Sequence, residues 1–579
     1  MVRLPCESQT RSSCTWASDK KGTFVITLHP HGPKPEADRS GVASGPYWEV
    51  LVIAALAVAV RIIHLDALHN TDDYYHLLAA QSWLRDGTLS MAGGTPYERA
   101  SLFTYLVAGF MQLFGESSYV ARLPGALAGA AWVTLLFVWL RSQAGRTAAW
   151  VAALLFCIDP GAIWLSRIVR FYTLHGLVFL GVAIGVYHLA TRAEFRPRSA
   201  LVGLAVVAGF ALAYHLQVTT VIGTMALAVW LIVDLTPRAI PILRQGPKGR
   251  LTWTLGVGTG VLLLAGVAMI QSGLAFEYLR RFQSVPIWAA EHQDAVGYYF
   301  RLLRRAYPVL VALSPVAAVV AIARNGRLGV FCVILFCVPF LLHSLAAFKA
   351  ERFLAYAMPF FFAIWGMAIA AVLPALFRAA ETTVAQVLAV RARPSWLGLG
   401  AGFLLIVMAA GVVSSNRAFE DAYQFVRPGH PPPLEWRPNW LEARPLLSGP
   451  ADSTSIVVGT FGPSILYNLG RLDVVVGRDQ VSVYNGGEFA EALQLGRPAI
   501  SAPESMETLI RCHRSGLVVV DWNMWEAEWG MNRELIAIVA DRAKPVPLPS
   551  EWGIHAYRWD REEPLEPVED CPDLRVLER

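Results

Sequence analysis

YWEVLVIAALAVAVRIIHLDALHNTDDYYH, residues 47–76, is the stretch that decides how this chain is read. Its apolar part, 47–65, is long enough to cross a bilayer, because a spanning helix needs about 20 such residues. Directly behind it, residues 69–76 (HNTDDYYH) place two adjacent carboxylates, Asp72 and Asp73, among two tyrosines and two histidines. Acids at a membrane edge are costly and need a reason. Whether they act in catalysis, in ion coupling or only in solvating a loop depends on the side they face, so topology comes first.

The 579 residues are 55% hydrophobic and 16% charged, with a mean hydropathy of +0.43. Repeated apolar runs of about 18 to 23 residues predict a polytopic α-helical membrane protein. The first 46 residues hold Pro, Ser, His and six Lys/Arg but no apolar core ending in a small-residue cleavage site. They read as a cytosolic disordered tail and not as a secretory signal. The seven cysteines, at 6, 14, 157, 332, 337, 512 and 571, show no CxxC pair and no zinc spacing. Cys512 and Cys571 alone fall in a region expected to be exported, where a disulfide is an open option. The net charge of +5 is small for this length and carries no basic and aromatic pattern, so nucleic acid is not an expected partner.

After the first span comes a polar loop, 66–100, and then an amphiphilic run, 101–115, read as a helix lying flat at the interface. Spans then follow near 119–140, 146–165, 173–191, 199–214, 217–235, 251–271, 305–323, 328–346, 353–377 and 396–414, about eleven with the first. One set of connecting loops is basic: Arg141 and Arg146; Arg192, Arg196 and Arg198; Arg238, Arg244, Lys248 and Arg250; Arg324 and Arg327; Arg378, Arg391 and Arg393. The positive-inside rule puts these loops, and the amino terminus, in the cytosol and the carboxyl-terminal region outside. Counting 101–115 as a further span would invert every later loop and scramble the pattern. The exofacial loop 272–304 resists with Arg280, Arg281, Arg301 and Arg304, next to Arg305. These arginines suit either anionic headgroups or a substrate phosphate.

From Ser415 the composition becomes that of a soluble α/β domain. Short valine-rich strands are expected at 456–459, 473–476 and 517–521, with helical stretches at 488–495 and 504–513. Ser501 with Glu504 has capping-box spacing, and Ser515-Gly516 reads as a helix stop. The expected organisation is therefore a tail, 1–46; a transmembrane domain, 47–414, whose exofacial loop 66–118 carries interfacial helices; and a soluble extracytoplasmic α/β domain, 415–579. Residues 428–438 (PGHPPPLEWRP) look like a stiff connector.

With this topology, ionisable groups collect on the outer face. Asp72, Asp73, Glu98 and Arg99 belong to the first loop; Arg167, Arg170, Tyr172 and His175 to the next turn; Tyr214, His215 and Gln217 to another; Lys349, Glu351 and Arg352 to a fourth. A sugar linked to a lipid phosphate has an anionic leaving group that arginines stabilise as charge develops. An acceptor hydroxyl or amine needs a carboxylate base on the opposite face of the anomeric carbon. One carboxylate facing an arginine cluster is the minimum machinery. Plainer alternatives stand beside it: Asp72 as the N-cap of a helix starting at Asp73, Arg167 and Arg170 snorkelling to the interface, and His175 and the Tyr214, His215, Gln217 group as polar packing. Asp73 reads as structural or orienting.

At these residues the chain resembles the GT-C superfamily of membrane glycosyltransferases, close to the family 39 protein O-mannosyltransferases and the lipid A aminoarabinose transferases. The resemblance runs through 47–377: Asp72-Asp73-Tyr74-Tyr75; Leu113-Phe114-Gly115 with Ala121-Arg122-Leu123-Pro124; Gly145-Arg146 with Trp150-Val151-Ala152-Ala153-Leu154-Leu155; and Ser166-Arg167 with Arg170-Phe171-Tyr172. It implies that Asp72, first acid of an Asp-Glu-like pair, is the catalytic base; here the second acid is Asp73. Glu98-Arg99 is similar to the Glu-Lys pair of members acting on lipid A. Where many members have an acid at the second exofacial turn, this chain offers His175. No WWDYG-like motif is found, which disfavours sequon-directed transfer of a whole glycan.

The sequence thus leads to an inverting transferase that moves one sugar from a polyprenyl-phosphate donor to an extracytoplasmic acceptor (protein, lipid or polysaccharide) at the cell membrane. Asp72 is the base, with Arg170 and Arg352 on the phosphate. No cofactor is required by the pattern; a divalent metal is compatible with it, although the Asp pair does not build a metal site by itself. A lipid-linked sugar flippase predicts charges within the middle of spans, which are nearly free of them. A glycan-binding protein anchored by the membrane part needs one span, not eleven. Trp522, Trp525 and Trp529, with Tyr484 and Asn485, offer either a sugar platform or a packed helical face.

Overall fold

The computed structural model describes residues 48–65, 72–191, 197–244, 295–387, 415–427 and most of 438–574. The expected tail, the spans at 251–271 and 396–414, most of the 272–304 loop with Arg280 and Arg281, and the 428–437 connector lie outside the described residues. So do Trp522, Trp529, Tyr484 and Asn485. Residues 50–579 form one compact unit; of the other unit, 1–49, only Trp48 and Glu49 are described.

The helical part runs α1 (Trp48–Ile62), α2 (Asp73–Asp86), α3 (Ser101–Phe114), α4 (Ser118–Ala144), α5 (Arg146–Cys157), α6 (Pro160–Ser166), α7 (Tyr172–Thr191), α8 (Pro197–Leu216), α9 (Thr220–Arg244), α10 (Tyr298–Ala306), α11 (Pro308–Asn325), α12 (Arg327–Leu345) and α13 (Met358–Val387). Among the described residues, seven of these are long and apolar enough to cross a membrane, or eight if α5 and α6 count as one broken span. The span expected at 146–165 is not one straight helix: α5 and α6 meet at 62°. The reason is local. Asp159 accepts a hydrogen bond from Ala162 N at 2.7 Å and Pro160 takes the first helical position, so a new helix starts where a continuous one would need the proline N–H.

The α/β part carries α14 (Arg417–Val426), α15 (Trp440–Ser453), α16 (Gly462–Leu469), α17 (Pro503–Cys512) and α18 (Arg533–Arg542) around a seven-stranded sheet. Its strands are β1 (Ile456–Gly459), β2 (Val474–Val476), β3 (Ala490–Ala492), β4 (Arg497–Ile500), β5 (Ser515–Asp521), β6 (Lys544–Pro545) and β7 (Ile554–Asp560), in the order β3-β4-β2-β1-β5-β7-β6. The central four, β4, β2, β1 and β5, are parallel, and β3, β7 and β6 add antiparallel edges. Strand order reverses between β1 and β5, as in doubly wound folds.

Alternation along the strands serves two cores, because successive side chains point to opposite faces. Ile456, Val458, Val518 and Val520 pack on Met506, Leu509, Leu535 and Val539. Val457, Leu517 and Val519 join a cluster that also holds Tyr74, Leu77 and Phe103 of α2 and α3. The sheet and the first helices of the membrane part thus share a core.

Three local expectations are overturned here. The segment read as a helix at 488–495 contains β3, and the Glu488 carboxylate accepts hydrogen bonds from Ser501 N, Ser501 Oγ and Ala502 N. Because Ser501 is used by Glu488, no capping box forms; the N-cap of α17 is Ala502, without a side-chain bond. Ser515 and Gly516 do not stop a helix but open β5, since α17 already ends at Cys512. Cys512 and Cys571 form a disulfide. Trp525 is half-buried, lies in an isolated bridge with Met531 and not in a helix, and stacks on His555 at 4.4 Å, nearly parallel.

Candidate functional site

Asp72 is the N-cap of α2 by position only. Its side chain makes no capping hydrogen bond, and about a third of it is exposed. Its Oδ2 lies 3.4 Å from Arg170 Nη2, and Arg170 Nη1 donates to the Asp72 backbone oxygen at 3.2 Å. Arg170 is buried, in the 167–171 turn that links α6 to α7. Buried at this depth, it is not snorkelling. The turn sits tightly on α4: a Cβ on Gly129 would come within 2.1 Å of Ser166 Oγ, which takes a hydrogen bond from the buried Arg61 in α1.

Two aromatic rings order the arginines. Phe171 and Tyr172 pack at 4.7 Å. Arg170 lies over both, at 5.4 and 5.7 Å; Arg99 lies over Phe171 at 5.7 Å; Arg352 lies over Tyr172 at 5.9 Å. Guanidinium on aromatic faces is a weakly hydrated, geometrically fixed arrangement. Arg170 Nε and Arg352 Nε are buried with no hydrogen-bond partner among the described residues. Burial, the largest single influence, pushes the Asp72 carboxyl upward, but attraction by Arg170, then Arg352, then Arg99 outweighs it and holds the group below the usual carboxylate range. Asp72 is thus kept ionised beside donors arranged for an anion.

Asp73 differs in every respect. It is fully buried, accepts a hydrogen bond from Val169 N at 2.9 Å and lies 3.6 Å from Arg122 Nη2 in α4. Arg122 also donates to Leu65 O at 2.8 Å. Asp73, second member of the candidate catalytic pair and read from the sequence as structural or orienting, is enclosed and ties α2 to α4 and to the arginine turn.

The structure brings Asp72, Arg99, Arg170, Tyr172 and Arg352 together and leaves the remaining candidates apart. Glu98 is exposed. Arg167 is buried, donates to Phe425 O at 2.7 Å and lies over the Phe425 ring of α14. His175 is buried between α7 and α9 on Thr220 Oγ1, at 2.9 Å. His215 is exposed and reaches Ser101 and Leu102 N at the start of α3. Lys349 is buried and donates to Ala346 O at 2.6 Å. Among the described residues, no three His, Cys, Asp or Glu side chains are grouped to hold a metal ion.

A cavity of about 110 Å³ is walled mainly by apolar groups such as Trp164, Leu303 and Met358, with Arg305, Glu351 and Asp421 also lining it. Asp159 and Tyr307 line it too and are hydrogen-bonded to each other. Sequence reading missed Arg122, Phe171 and Asp159 as parts of this region. Arg122 and Phe171 stood inside motifs already quoted; the signal for Asp159 was the Asp-Pro dipeptide inside an apolar run.

Residues 98–265, under a third of the chain, match the family described as dolichyl-phosphate-mannose-protein mannosyltransferase. No curated protein matches the chain at a significant level. ArnT from Cupriavidus metallidurans, solved bound to undecaprenyl phosphate, is 14% identical and superposes with a TM-score of 0.56 over 89% of this chain and 98% of its own. The archaeal oligosaccharyltransferase AglB from Archaeoglobus fulgidus, in complex with an inhibitory peptide and a dolichol-phosphate, is 14% identical with a TM-score of 0.54, over 91% of this chain and 75% of its own. At these identities the likeness is one of fold. With its apolar spans, the chain is a multi-pass membrane protein that has the fold of the GT-C membrane glycosyltransferases.

Proposed function

We propose that this protein transfers a single sugar from a polyprenyl-phosphate donor to an acceptor on the extracytoplasmic face of the cell membrane, with inversion at the anomeric carbon. The observation that carries the reading is the Asp72 carboxylate at 3.4 Å from a buried arginine, with Arg352 and Arg99 completing a cationic rim. Arg170 and Arg352 hold the donor phosphate and stabilise the charge it gains. Asp72 accepts the proton of the acceptor nucleophile as the new bond to the anomeric carbon forms. The sugar–phosphate bond breaks on the opposite side, and its electron pair leaves on the phosphate. Asp73 keeps the first turn of α2 in place.

The fold shared with ArnT, whose crystal carries undecaprenyl phosphate, supports a lipid-phosphate donor, and the largely apolar cavity that Glu351 lines suits isoprenoid chain. The Cys512–Cys571 disulfide supports an oxidising compartment for the α/β part, hence its outward orientation.

The test is a transfer assay on purified protein, offering radiolabelled polyprenyl-phosphate mannose, glucose and aminoarabinose in turn, with wild type beside Asp72→Asn. Turnover by wild type that is lost in the variant, with folding intact, supports the reading and identifies the sugar. Undiminished turnover by Asp72→Asn removes Asp72 as the base.

A further inference from the structure

The first turn of α2 has no side-chain cap of its own, yet it carries Asp72 at its start. Below it, Asp73 is bound to Arg122 and Val169. Above it stands α16 of the α/β part. Tyr74, buried to 1% exposure, accepts a hydrogen bond from Asn468 Nδ2 at 3.3 Å, and its ring packs on Tyr467 at 5.4 Å. Tyr75 meets the Phe461 ring edge-on at 6.1 Å.

Asn468 is itself held from inside the sheet. Its Nδ2 also donates to Ser464 O at 2.8 Å, and Ser464 Oγ donates to Asp521 Oδ2 at 3.2 Å. Asp521 ends β5 next to the point where strand order reverses. A buried chain of hydrogen bonds therefore runs from the carboxyl edge of the sheet to a residue two positions after Asp72. A second tether lies nearby: Gly93 N donates to Gln494 O at 3.3 Å, and Gly496 approaches Gly93 so closely that a Cβ there would sit 2.6 Å from its Cα.

We propose that α16 is a positioning element for Asp72: Asn468, acting through Tyr74, fixes the first turn of α2 so that the Asp72 carboxylate stays against Arg170. The inference rests on Asp72 being the base. Catalytic groups must hold their geometry to about half an ångström, and a misplacement of about 1 Å costs about 10²-fold in rate. A lone turn without a cap does not supply that precision; the buried Asn468–Tyr74 hydrogen bond, with Asn468 tied back to Ser464, holds the turn from its other side. The α/β part is then a component of the catalytic machinery and not only an appendage. Asn468, Tyr467 and Phe461 are positioning residues, since none of them touches the donor or the acceptor in this reading.

The test uses the full chain in lipid nanodiscs and compares wild type, Asn468→Ala, Tyr74→Phe and the double variant. Each single variant should lower kcat about tenfold or more with the donor KM unchanged within about twofold. The acid limb of the kcat/KM profile should move upward, because Asp72 drifts from Arg170, Arg352 and Arg99 while Asp73 remains. The double variant should be no worse than either single one, since both remove the same bond. Unchanged kcat and acid limb, or an additive double variant, overturn the proposal. Tyr74→Phe removes a single oxygen and carries the test if Asn468→Ala fails to fold.

A readout without turnover separates this inference from the reading beneath it. In an Asp72→Cys background, the pH midpoint of thiol alkylation reports the nearby guanidinium charge. Adding Asn468→Ala should raise that midpoint, whether or not a donor has been found. An unmoved midpoint overturns the positioning role even where wild type is active; no turnover with any donor, alongside a shifted midpoint, counts against the Asp72 reading alone.

Discussion

Asp72 and Asp73 are neighbours in the chain and opposites in surroundings. Around Asp72 the protein is open, lined by guanidinium groups stacked on Phe171 and Tyr172, and the carboxylate is part exposed. Around Asp73 it is dry: both oxygens face groups of a packed layer, Val169 N and Arg122, with no exposure. A helical turn rotates consecutive side chains by about 100°, so one residue separates the rim from the interior. An acid that must take up a proton needs access and a charge kept by nearby cations. An acid that must hold two elements together needs neither access nor freedom.

That contrast can be broken most directly by exchanging the acids for amides. Asp72→Asn should cut turnover about 10²–10⁴-fold, the share general-base catalysis supplies, while the melting temperature falls less than when the enclosed pair is broken, because Asp72 is part exposed and its backbone oxygen still holds Arg170. Removing the partner of Asp73 should do the reverse. Arg122→Ala removes the cation beside a buried carboxylate, at a cost of about 3–5 kcal/mol, which appears as a fall in melting temperature. If Arg122→Ala were as stable as wild type and Asp72→Asn melted early, the assignment of the two acids would be reversed.

Smaller effects sharpen the same comparison. Because Asp72 is held below the usual carboxylate range, it stays ionised as pH falls, and the acid limb of kcat/KM should lie below that range. Arg352→Ala removes one of the cations responsible, so the limb should move upward and the donor should bind less tightly, by about 1.5–3 kcal/mol for a lost charged hydrogen bond. A limb that stays in place would show that Arg170 and Arg99 suffice.

A further test concerns a third acid, in the sheet. Asp521 is fully buried and accepts a hydrogen bond from Ser464, and burial pushes its carboxyl up to about 7. Its folded value exceeds the unfolded one, so its stabilising effect is present at acid pH and is lost as pH rises from about 4 toward 7. Asp521→Asn should remove this dependence, widening its melting-temperature advantage over wild type between pH 4 and 8. An equal difference at both ends would mean that Asp521 titrates normally.

Much of this was legible without coordinates because membrane helices and parallel strands have composition as their cause. Lipid admits spans only where long runs are apolar, so α4, α7, α9, α12 and α13 stood out from hydropathy. Strands buried on both faces are continuous apolar runs, which is why β1 and β2 could be read from Ile456-Val457-Val458 and Val474-Val475-Val476. The helix wrongly expected near 488–495 lay in a segment with polar and apolar residues mixed, where strand pairing with β4 overrode local preference.

The sequence by itself determined that the chain is a multi-span membrane protein ending in an α/β part, and that Asp72, Arg170 and Arg352 belong to a candidate site. These follow from hydrophobic length, period and motif, which are properties of neighbouring residues. Only the tertiary structure decided which of two adjacent acids is open, that Arg122 answers Asp73, that Phe171 and Tyr172 array the three arginines, and that Asn468 reaches Tyr74. Apart from Arg170, which adjoins both rings in the chain, those pairings join residues from 49 to 394 positions apart, and such contacts are fixed by how whole elements pack, which no local window of sequence contains.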